Sequence, residues 1–464
     1  MKKAALLLLI VAAWVALLLS GRLVGISLSS PQIESLTIFA ALIWGILLYE
    51  NFRLTVVWSA VAAVVGFGLL SPAQFVSAMA IDVILFLLGT FLVAAYLEEA
   101  LFFEHLASQI VRRVGPRPDL LIAVLMLAAL ISSAVVGEVA AILFVGGAMI
   151  HIANRYKLQP IPFLIMLVFA TNTGSAASAF GPVGVTIAIK AKLTVLDFFR
   201  WATPISLVVL VLVFFISRWY FAPAWKEFAA AVHRDHLSGT LPDPGHGKGA
   251  VTGWILVAAM SALLVFHSQV EQWLHLPFNS MLVGASLGAG AVSLCLSGRR
   301  VKHLLIHRVD WWTLAFFMGL FIVVGGLEAT GVTNVVAAGL MRGTRGNPAA
   351  LTLTVGWSTG FLSAFVANLL AVAAFLPIIA QVKAHGVACP TCVYWLMLFG
   401  ATFMGNMTSV GSACNIIACG MADKRGHGTI YFAPWLKVGI IISLASMGLA
   451  TLLLAIQTGW LTRG

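Results

Sequence analysis

The sequence predicts an all-α polytopic membrane protein with about 11 transmembrane helices, built as two inverted repeats that each contain a re-entrant hairpin and a broken helix. Composition gives the first indication. Of the 464 residues, 61% are hydrophobic and 9% are charged, whereas soluble chains carry about 25% charged residues. The formal net charge of +11 comes from Lys and Arg in short loops between apolar spans. This placement follows the positive-inside rule and argues against a nucleic-acid-binding surface.

Apolar spans of membrane length, about 20 residues for a helix, provide the second indication. The first span follows two lysines but precedes no A-x-A cleavage site, so we predict a retained N-terminal helix within residues 1–31 rather than a signal peptide. Two stretches, 119–153 and 350–385, are too long for one crossing and are interrupted in the middle. The remaining spans lie near 4–20, 33–49, 54–70, 77–97, 161–191, 203–221, 250–268, 279–297, 311–330, 391–420 and 433–457.

A self-similarity at an offset of 230 residues provides the third indication. LFLLGTFLVAAYLEE at 85–99 matches AFFMGLFIVVGGLEA at 315–329 without a gap. The same offset aligns Ser133 with Ser363 and Gly181 with Gly411. Apolar matches are common by chance in such a chain, but the Gly, Ser and Glu matches are not. We therefore divide the chain into an extra N-terminal helix (1–31), transport repeat 1 (32–221), a cytoplasmic linker (222–249) and transport repeat 2 (250–464).

The basic residues predict the topology. Arg113 and Arg117 precede the stretch 119–153, and Arg155 and Lys157 follow it, so both of its ends lie on the cytoplasmic side. It is therefore a re-entrant hairpin, with its tip near residues 137–138. Each repeat then has five full crossings, an odd number, so the second repeat is inverted and its hairpin, with a tip near 367–368, enters from outside. We predict a cell (inner) membrane protein with a cytoplasmic N-terminus and an external C-terminus.

The two hairpin tips and two polar runs interrupt the helices at mid-membrane. The polar runs are TNTGSAASAFGP at 171–182 and its repeat mate GNMTSVGSACN at 405–415. Backbone that leaves helical geometry at this depth lines a cavity or is buried in protein, although small residues also serve close helix packing. We predict that the breaks bind substrate and ions through Gly137, Glu138, Asn172, Thr173, Ser175, Ser178, Gly181, Asn368, Asn406, Thr408, Ser409, Gly411 and Asn415.

Glu138 is the principal candidate because it is the lone carboxylate in SAVVGEVAAILF at 133–144. A charge at the centre of a bilayer costs about 2.5–3.5 kcal/mol on insertion scales. Glu138 either locks the hairpin through hydrogen bonds or titrates, binding a proton or cation in alternation with substrate. Asp82 is a weaker second candidate, whereas Glu98 and Glu328, which are equivalent by the repeat, are expected to be interface anchors.

The order of helix, amphipathic segment, hairpin and broken helix resembles the ion transporter superfamily over nearly the whole chain. The resemblance is closest to its arsenite and anion permeases and to the NhaD-type sodium/proton antiporters. GGLEATG at 325–331 and the glycine-rich runs at 171–184 and 405–415 are similar to segments of these relatives. The resemblance implies that the hairpin tips and broken helices bind ions and substrate.

We therefore predict a secondary active transporter for a small anion or weak acid, coupled to a proton or sodium gradient by alternating access. A sodium/proton antiporter in which Glu138 exchanges ions is the alternative. No basic residue lies near either tip, which favours a monoanion, a neutral weak acid or a cation over a dicarboxylate. HExxH and phosphate-loop motifs are absent from the sequence, so we expect no enzyme, no bound metal and no cofactor beyond Na⁺ or H⁺. The expected partners are the solute and the lipid bilayer, with no nucleic acid, and a homodimer is a candidate assembly. The Cys389/Cys392 pair is expected to be structural.

Overall fold

The computed structural model describes residues 28–49, 52–100, 117–236, 248–277, 280–309, 311–386, 390–424 and 430–458, with residues 102 and 114 besides. The predicted span near 4–20 and Cys389 lie outside these residues. Every regular element within them is helical. The helices of the first half are Ser30–Leu48, Arg53–Gly66, Pro72–Ala78, Ile81–Glu99, Pro118–Val136, Glu138–Arg155, Ile161–Ser175, Pro182–Ala191, Val195–Asp197, the π-helical turn Phe198–Ala202, Thr203–Tyr220 and Ala222–His236.

The second half repeats this order of elements. Its helices are Lys248–Val265, His267–Trp273, Ser280–Ser297, the 3₁₀ turn Gly298–Arg300, Val301–His307, Trp311–Ala329, Val332–Thr344, Pro348–Ser363, Asn368–Ala384, Cys392–Met404, Ala413–Lys424 and Phe432–Thr458. Six helical stretches in the described residues are long and apolar enough to cross a membrane: Pro72–Leu97, Pro118–Val135, Val195–Tyr220, Ser280–His307, Trp311–Ala329 and Phe432–Gln457. Shorter apolar helices accompany them. The all-helical membrane architecture agrees with the sequence prediction, and the count of about 11 crossings stays a prediction.

Two helical hairpins occupy the two long interrupted stretches. The first hairpin joins Pro118–Val136 to Glu138–Arg155 through Gly137 alone, whose φ is +90°. Side chains other than hydrogen rarely adopt this backbone conformation, so a glycine is required at the turn. The second hairpin joins Pro348–Ser363 to Asn368–Ala384 through the four residues 364–367. Both turns lie where the sequence predicts the hairpin tips.

Several tertiary contacts recur at the offset of 230 residues. The Ser178 hydroxyl donates to the Ala134 carbonyl, and the Thr408 hydroxyl donates to the Ala364 carbonyl. In each half, this bond ties the broken helix to the end of the first hairpin arm.

Helix crossings recur in the same way. A Cβ on Gly174 would lie 2.3 Å from the Leu130 carbonyl oxygen, and a Cβ on Gly360 would lie 2.7 Å from Met404 Cγ. The two residue pairs are equivalent, with the glycine on opposite helices. Such matched contacts agree with the predicted duplication, and the opposite orientation of the two halves in the membrane stays a prediction.

The first part of the predicted polar linker is the amphipathic helix Ala222–His236. Trp225 and Phe228 are buried. The Trp225 indole N–H donates to the Asp119 carboxylate at 2.6 Å, and the Phe228 ring lies 5.1 Å from that of Phe163. Apolar residues at 225, 228 and 232 recur at the helical spacing i, i+3, i+7 and form one face. This helix therefore packs at the base of the first hairpin and at the start of the first broken helix.

Candidate functional site at the hairpin tips and broken helices

Each broken helix stops and restarts across a stretch of buried backbone. The first breaks between Ser175 and Pro182, and the second between Met404 and Ala413. The second break depends on Gly411, because a Cβ there would lie 2.5 Å from the Gly405 carbonyl oxygen and 2.9 Å from that of Ala364. Contacts this short require the backbone to move. The glycine thus lets the break pack directly against the tip of the second hairpin.

The Glu138 carboxylate lies where the two hairpin tips meet. Its side chain is only 8% exposed. One carboxylate oxygen accepts a hydrogen bond from the Ser412 hydroxyl at 3.1 Å, and the other accepts one from the Asn368 amide at 3.2 Å. Asn368 is in turn held by the Ser363 hydroxyl, which donates to its amide oxygen at 2.9 Å. Glu138 and Asn368 occupy equivalent positions in the two repeats and touch each other directly.

Neutral groups, rather than a cation, surround this carboxylate. No Lys or Arg is buried within the described ranges. The buried Ser175 hydroxyl lies beside the carboxylate and completes no hydrogen bond within the part of the chain that the structure describes. Glu138 also begins its own helix, where the partial positive charge of the helix N-terminus favours an acidic residue. A carboxylate offers about four acceptor sites, so two hydrogen bonds leave capacity for a proton or a cation.

Three asparagines from the two broken helices form a second cluster. The Asn172 amide donates to the side-chain oxygens of Asn406 at 2.7 Å and Asn415 at 2.9 Å. The Asn415 amide donates to the carbonyls of Gly405 at 2.9 Å and Thr408 at 2.7 Å, which the break leaves outside the helical ladder. All three asparagines are fully buried. This amide cluster therefore joins the first broken helix to the second.

Ser412 and Cys414 connect Glu138 to the amide cluster. The Ser412 hydroxyl, which donates to Glu138, lies 3.3 Å from the Cys414 sulfur. The Cys414 thiol donates to the Asn172 amide oxygen at 3.3 Å. The sequence prediction omitted both residues, although both belong to the run GNMTSVGSACN that it identified. Their relevance depends on contacts between residues more than 240 positions apart in the chain, for example Ser412 with Glu138.

The remaining predicted site residues have different surroundings. Ser178 and Thr408 use their hydroxyls to hold the hairpin arms. The Thr173 hydroxyl donates to the Phe169 carbonyl within its own helix at 2.7 Å. Gly181 precedes the first residue of the helix Pro182–Ala191, and Ser409 makes no side-chain hydrogen bond to this cluster among the described residues. Thr173 and Ser409 therefore contribute no side-chain hydrogen bond to either cluster.

The other acidic candidates lie at helix ends. Asp82 is exposed in the first turn of the helix Ile81–Glu99. Glu328 is exposed near the end of the helix Trp311–Ala329, and the side chain of Glu98 lies outside the described part. Neither Asp82 nor Glu328 belongs to the buried clusters.

A solved structure shares this architecture. The YdaH transporter of Alcanivorax borkumensis superposes with a TM-score of 0.57, covering 84% of this chain and 87% of that one. The sequences are 16% identical, so the likeness shows the fold alone.

Sequence relatives come from bacteria and from animals. An uncharacterized transporter of Mycobacterium tuberculosis is 30% identical over 80% of this chain and 85% of its own length. An uncharacterized transporter of Synechocystis is 25% identical over 79% of this chain and 84% of its own length. The P protein of Mus musculus is 25% identical over 96% of this chain and 63% of its own length. A family model described as "Citrate transporter" (CitMHS) matches residues 37–386 and 330–461, and the chain therefore belongs to this family of membrane transporters.

Proposed function

We propose that the protein is a secondary active transporter that moves a small anion or weak acid by alternating access, driven by a proton or sodium gradient. One observation carries the proposal: Glu138, on the first hairpin tip, is held by Asn368 of the second tip and by Ser412 of the second broken helix. Groups from opposite repeats thus converge on one buried carboxylate. In secondary transporters, broken helices that meet at mid-membrane form the substrate and ion sites.

In this proposal Glu138 is the coupling residue. A buried carboxylate without a basic partner is costly when charged. Binding a proton or Na⁺ there removes the uncompensated charge, so occupancy of Glu138 changes the stability of the closed site. Substrate and coupling ion then cross together because only the neutralised site closes at low cost.

The family description suggests citrate as the first substrate to test. Citrate carries several negative charges at neutral pH, and Glu138 adds another to the site. Because no buried Lys or Arg among the described residues offsets these charges, we expect citrate to enter with neutralising cations or protons, or a smaller monoanion to be preferred.

A sodium/proton antiporter is the second candidate. It is favoured by the same shortage of positive charge, since a carboxylate among hydroxyl and amide groups suits a monovalent cation. In that case Glu138 would exchange Na⁺ for H⁺ without any anion.

Purified protein in liposomes distinguishes the two candidates. With a proton or sodium gradient imposed, we expect labelled citrate or a small monocarboxylate to accumulate. In Glu138→Gln, we expect the anion to equilibrate without accumulating, because the coupling ion no longer binds. Glu271→Gln is the matched control, since Glu271 is also buried but accepts a hydrogen bond from the Met281 backbone outside the site.

Two results would contradict the anion-transport proposal. The first is accumulation by Glu138→Gln equal to that of the wild type. The second is proton movement driven by sodium alone with no anion present, which would establish the antiporter instead.

A further inference from the structure

We propose that the side-chain amide of Asn406 binds an oxygen of the transported anion, as the hydrogen-bond donor of a subsite separate from Glu138. This inference rests on the proposed function and specifies the chemistry that the substrate must have. The evidence is the orientation of the three amides in the cluster and the partner that each of their atoms has.

The backbone fixes which end of each amide is the donor. The amide group of Asn415 that faces the Gly405 and Thr408 carbonyls must be the NH₂ group, because carbonyl oxygens only accept. The oxygen of Asn415 therefore faces Asn172, which must present its own NH₂ group there. The same NH₂ group of Asn172 lies 2.7 Å from Asn406, so Asn406 must present its oxygen to Asn172. Exchanging oxygen and nitrogen in any of the three amides would oppose two donors or two acceptors.

This orientation leaves one donor without a partner. The side-chain oxygens of Asn172, Asn406 and Asn415 all accept hydrogen bonds, and both donating amides, of Asn172 and Asn415, are fully used. The Asn406 Nδ2 atom is buried and has no hydrogen-bond partner among the described residues. Its backbone carbonyl is meanwhile fixed by the Trp435 indole N–H at 3.0 Å. The cluster therefore offers N–H groups to a ligand and no free oxygen, which selects an anionic oxygen and disfavours a cation.

Glu138 has the opposite character. Its carboxylate accepts hydrogen bonds when ionised and suits a cation or proton. Ser412 and Cys414 separate it from Asn172 by two contacts of 3.3 Å. Anion and coupling ion can thus be bound close together without sharing a ligand. This separation provides a physical basis for coupling, because each charge lowers the cost of burying the other.

The donor exists on one side of the predicted repeat axis only. At the offset of 230 residues, Asn406 corresponds to Ala176, Asn415 to Val185 and Asn172 to Thr402. The equivalent position in the first repeat therefore has no amide cluster. We infer one anion-binding donor per chain.

The test measures anion binding to the purified full-length protein by ligand-induced thermal stabilisation. The probes are citrate, acetate and sulfate, which distinguish a polycarboxylate, a monocarboxylate and a mineral oxyanion that present the same kind of oxygen. Asn406→Asp keeps the oxygen that faces Asn172 and replaces the free NH₂ group by a second oxygen. Asn406→Ala serves as a second variant if the added charge prevents folding. We expect either substitution to weaken binding of the best probe roughly 10- to 100-fold, as expected for loss of a hydrogen bond to a charged group.

Thr402→Val is the matched control. Thr402 lies one turn earlier on the same helix, is fully buried, and bonds only to carbonyls of that helix, principally Leu398 at 2.8 Å. We expect its anion affinity to equal that of the wild type. Wild-type affinity in a folded Asn406 variant overturns the inference, as does a wild-type protein that none of the three anions stabilises. If Asn406 variants lose binding while Glu138→Gln accumulates anion normally, the inference stands and the coupling proposal fails.

Discussion

At the scale of single residues, the sequence already identifies the atoms that matter most and misses those that connect them. Glu138 is visible because a carboxylate in an apolar stretch is rare. Asn368 is visible because it stands at the equivalent position of the second repeat. Ser412 and Cys414 carry no comparable signal, since small polar residues inside an apolar span most often serve helix packing. Their role depends on which hairpin tip lies opposite, and only the tertiary fold determines this.

The Ser412 hydroxyl provides a direct test of this connection. Ser412→Ala removes one of the two hydrogen bonds of the buried Glu138 carboxylate. Leaving a buried charged acceptor without this partner costs about 1–3 kcal/mol, so we expect a lower free energy of unfolding in a detergent denaturation experiment. Ser446→Ala is the control, because that hydroxyl is buried without a partner among the described residues. Equal stability of the two variants would contradict the proposed contact.

At the scale of elements, the helix breaks were predicted more reliably than the connections between helices. Gly, Pro and polar clusters interrupt long apolar spans, so the turns at 137 and 364–367 could be located from the sequence. The helix Ala222–His236 was not predicted, because its Lys, Glu, His and Arg residues lower its mean hydropathy and resemble a solvated linker. Its apolar face becomes apparent only when the spacing of Trp225, Phe228 and Val232 is considered.

Gly137 tests whether the first hairpin requires its single-residue turn. Gly137→Ala places a Cβ on a backbone with φ of +90°, which costs about 1–3 kcal/mol. We expect a lower thermal unfolding midpoint and slower anion uptake, because Glu138 follows directly. Gly147→Ala is the matched control on the second arm of the same hairpin. A Cβ there would meet nothing within 4 Å, and replacing a helical glycine by alanine stabilises by about 0.5–1 kcal/mol. A Gly137→Ala variant as stable as the control would show that the turn tolerates another conformation.

At the scale of the whole molecule, the duplication explains both the order of the helices and the asymmetry of the site. Equivalent contacts, such as Ser178 to Ala134 and Thr408 to Ala364, keep the two frameworks alike. Departures from the repeat are concentrated in the breaks, where Glu138 faces Asn368 and the amides of the second half face Ala176 and Val185 in the first. A framework held by matched contacts can thus present acceptors on one side and donors on the other, as cotransport of unlike charges requires.

The inverted arrangement makes a prediction that labelling can test. Lys157 follows the first hairpin and His385 follows the second, and both side chains are exposed. If the repeats are inverted, these positions lie on opposite sides of the membrane, with Lys157 in the cytoplasm. With the five cysteines replaced by serine, a membrane-impermeant maleimide added to intact cells should label His385→Cys and leave Lys157→Cys unlabelled, whereas permeabilised cells should show both. Labelling of both positions in intact cells, or of Lys157→Cys alone, would be incompatible with the predicted topology. It would also remove the basis for two hairpins that converge on Glu138 from opposite faces.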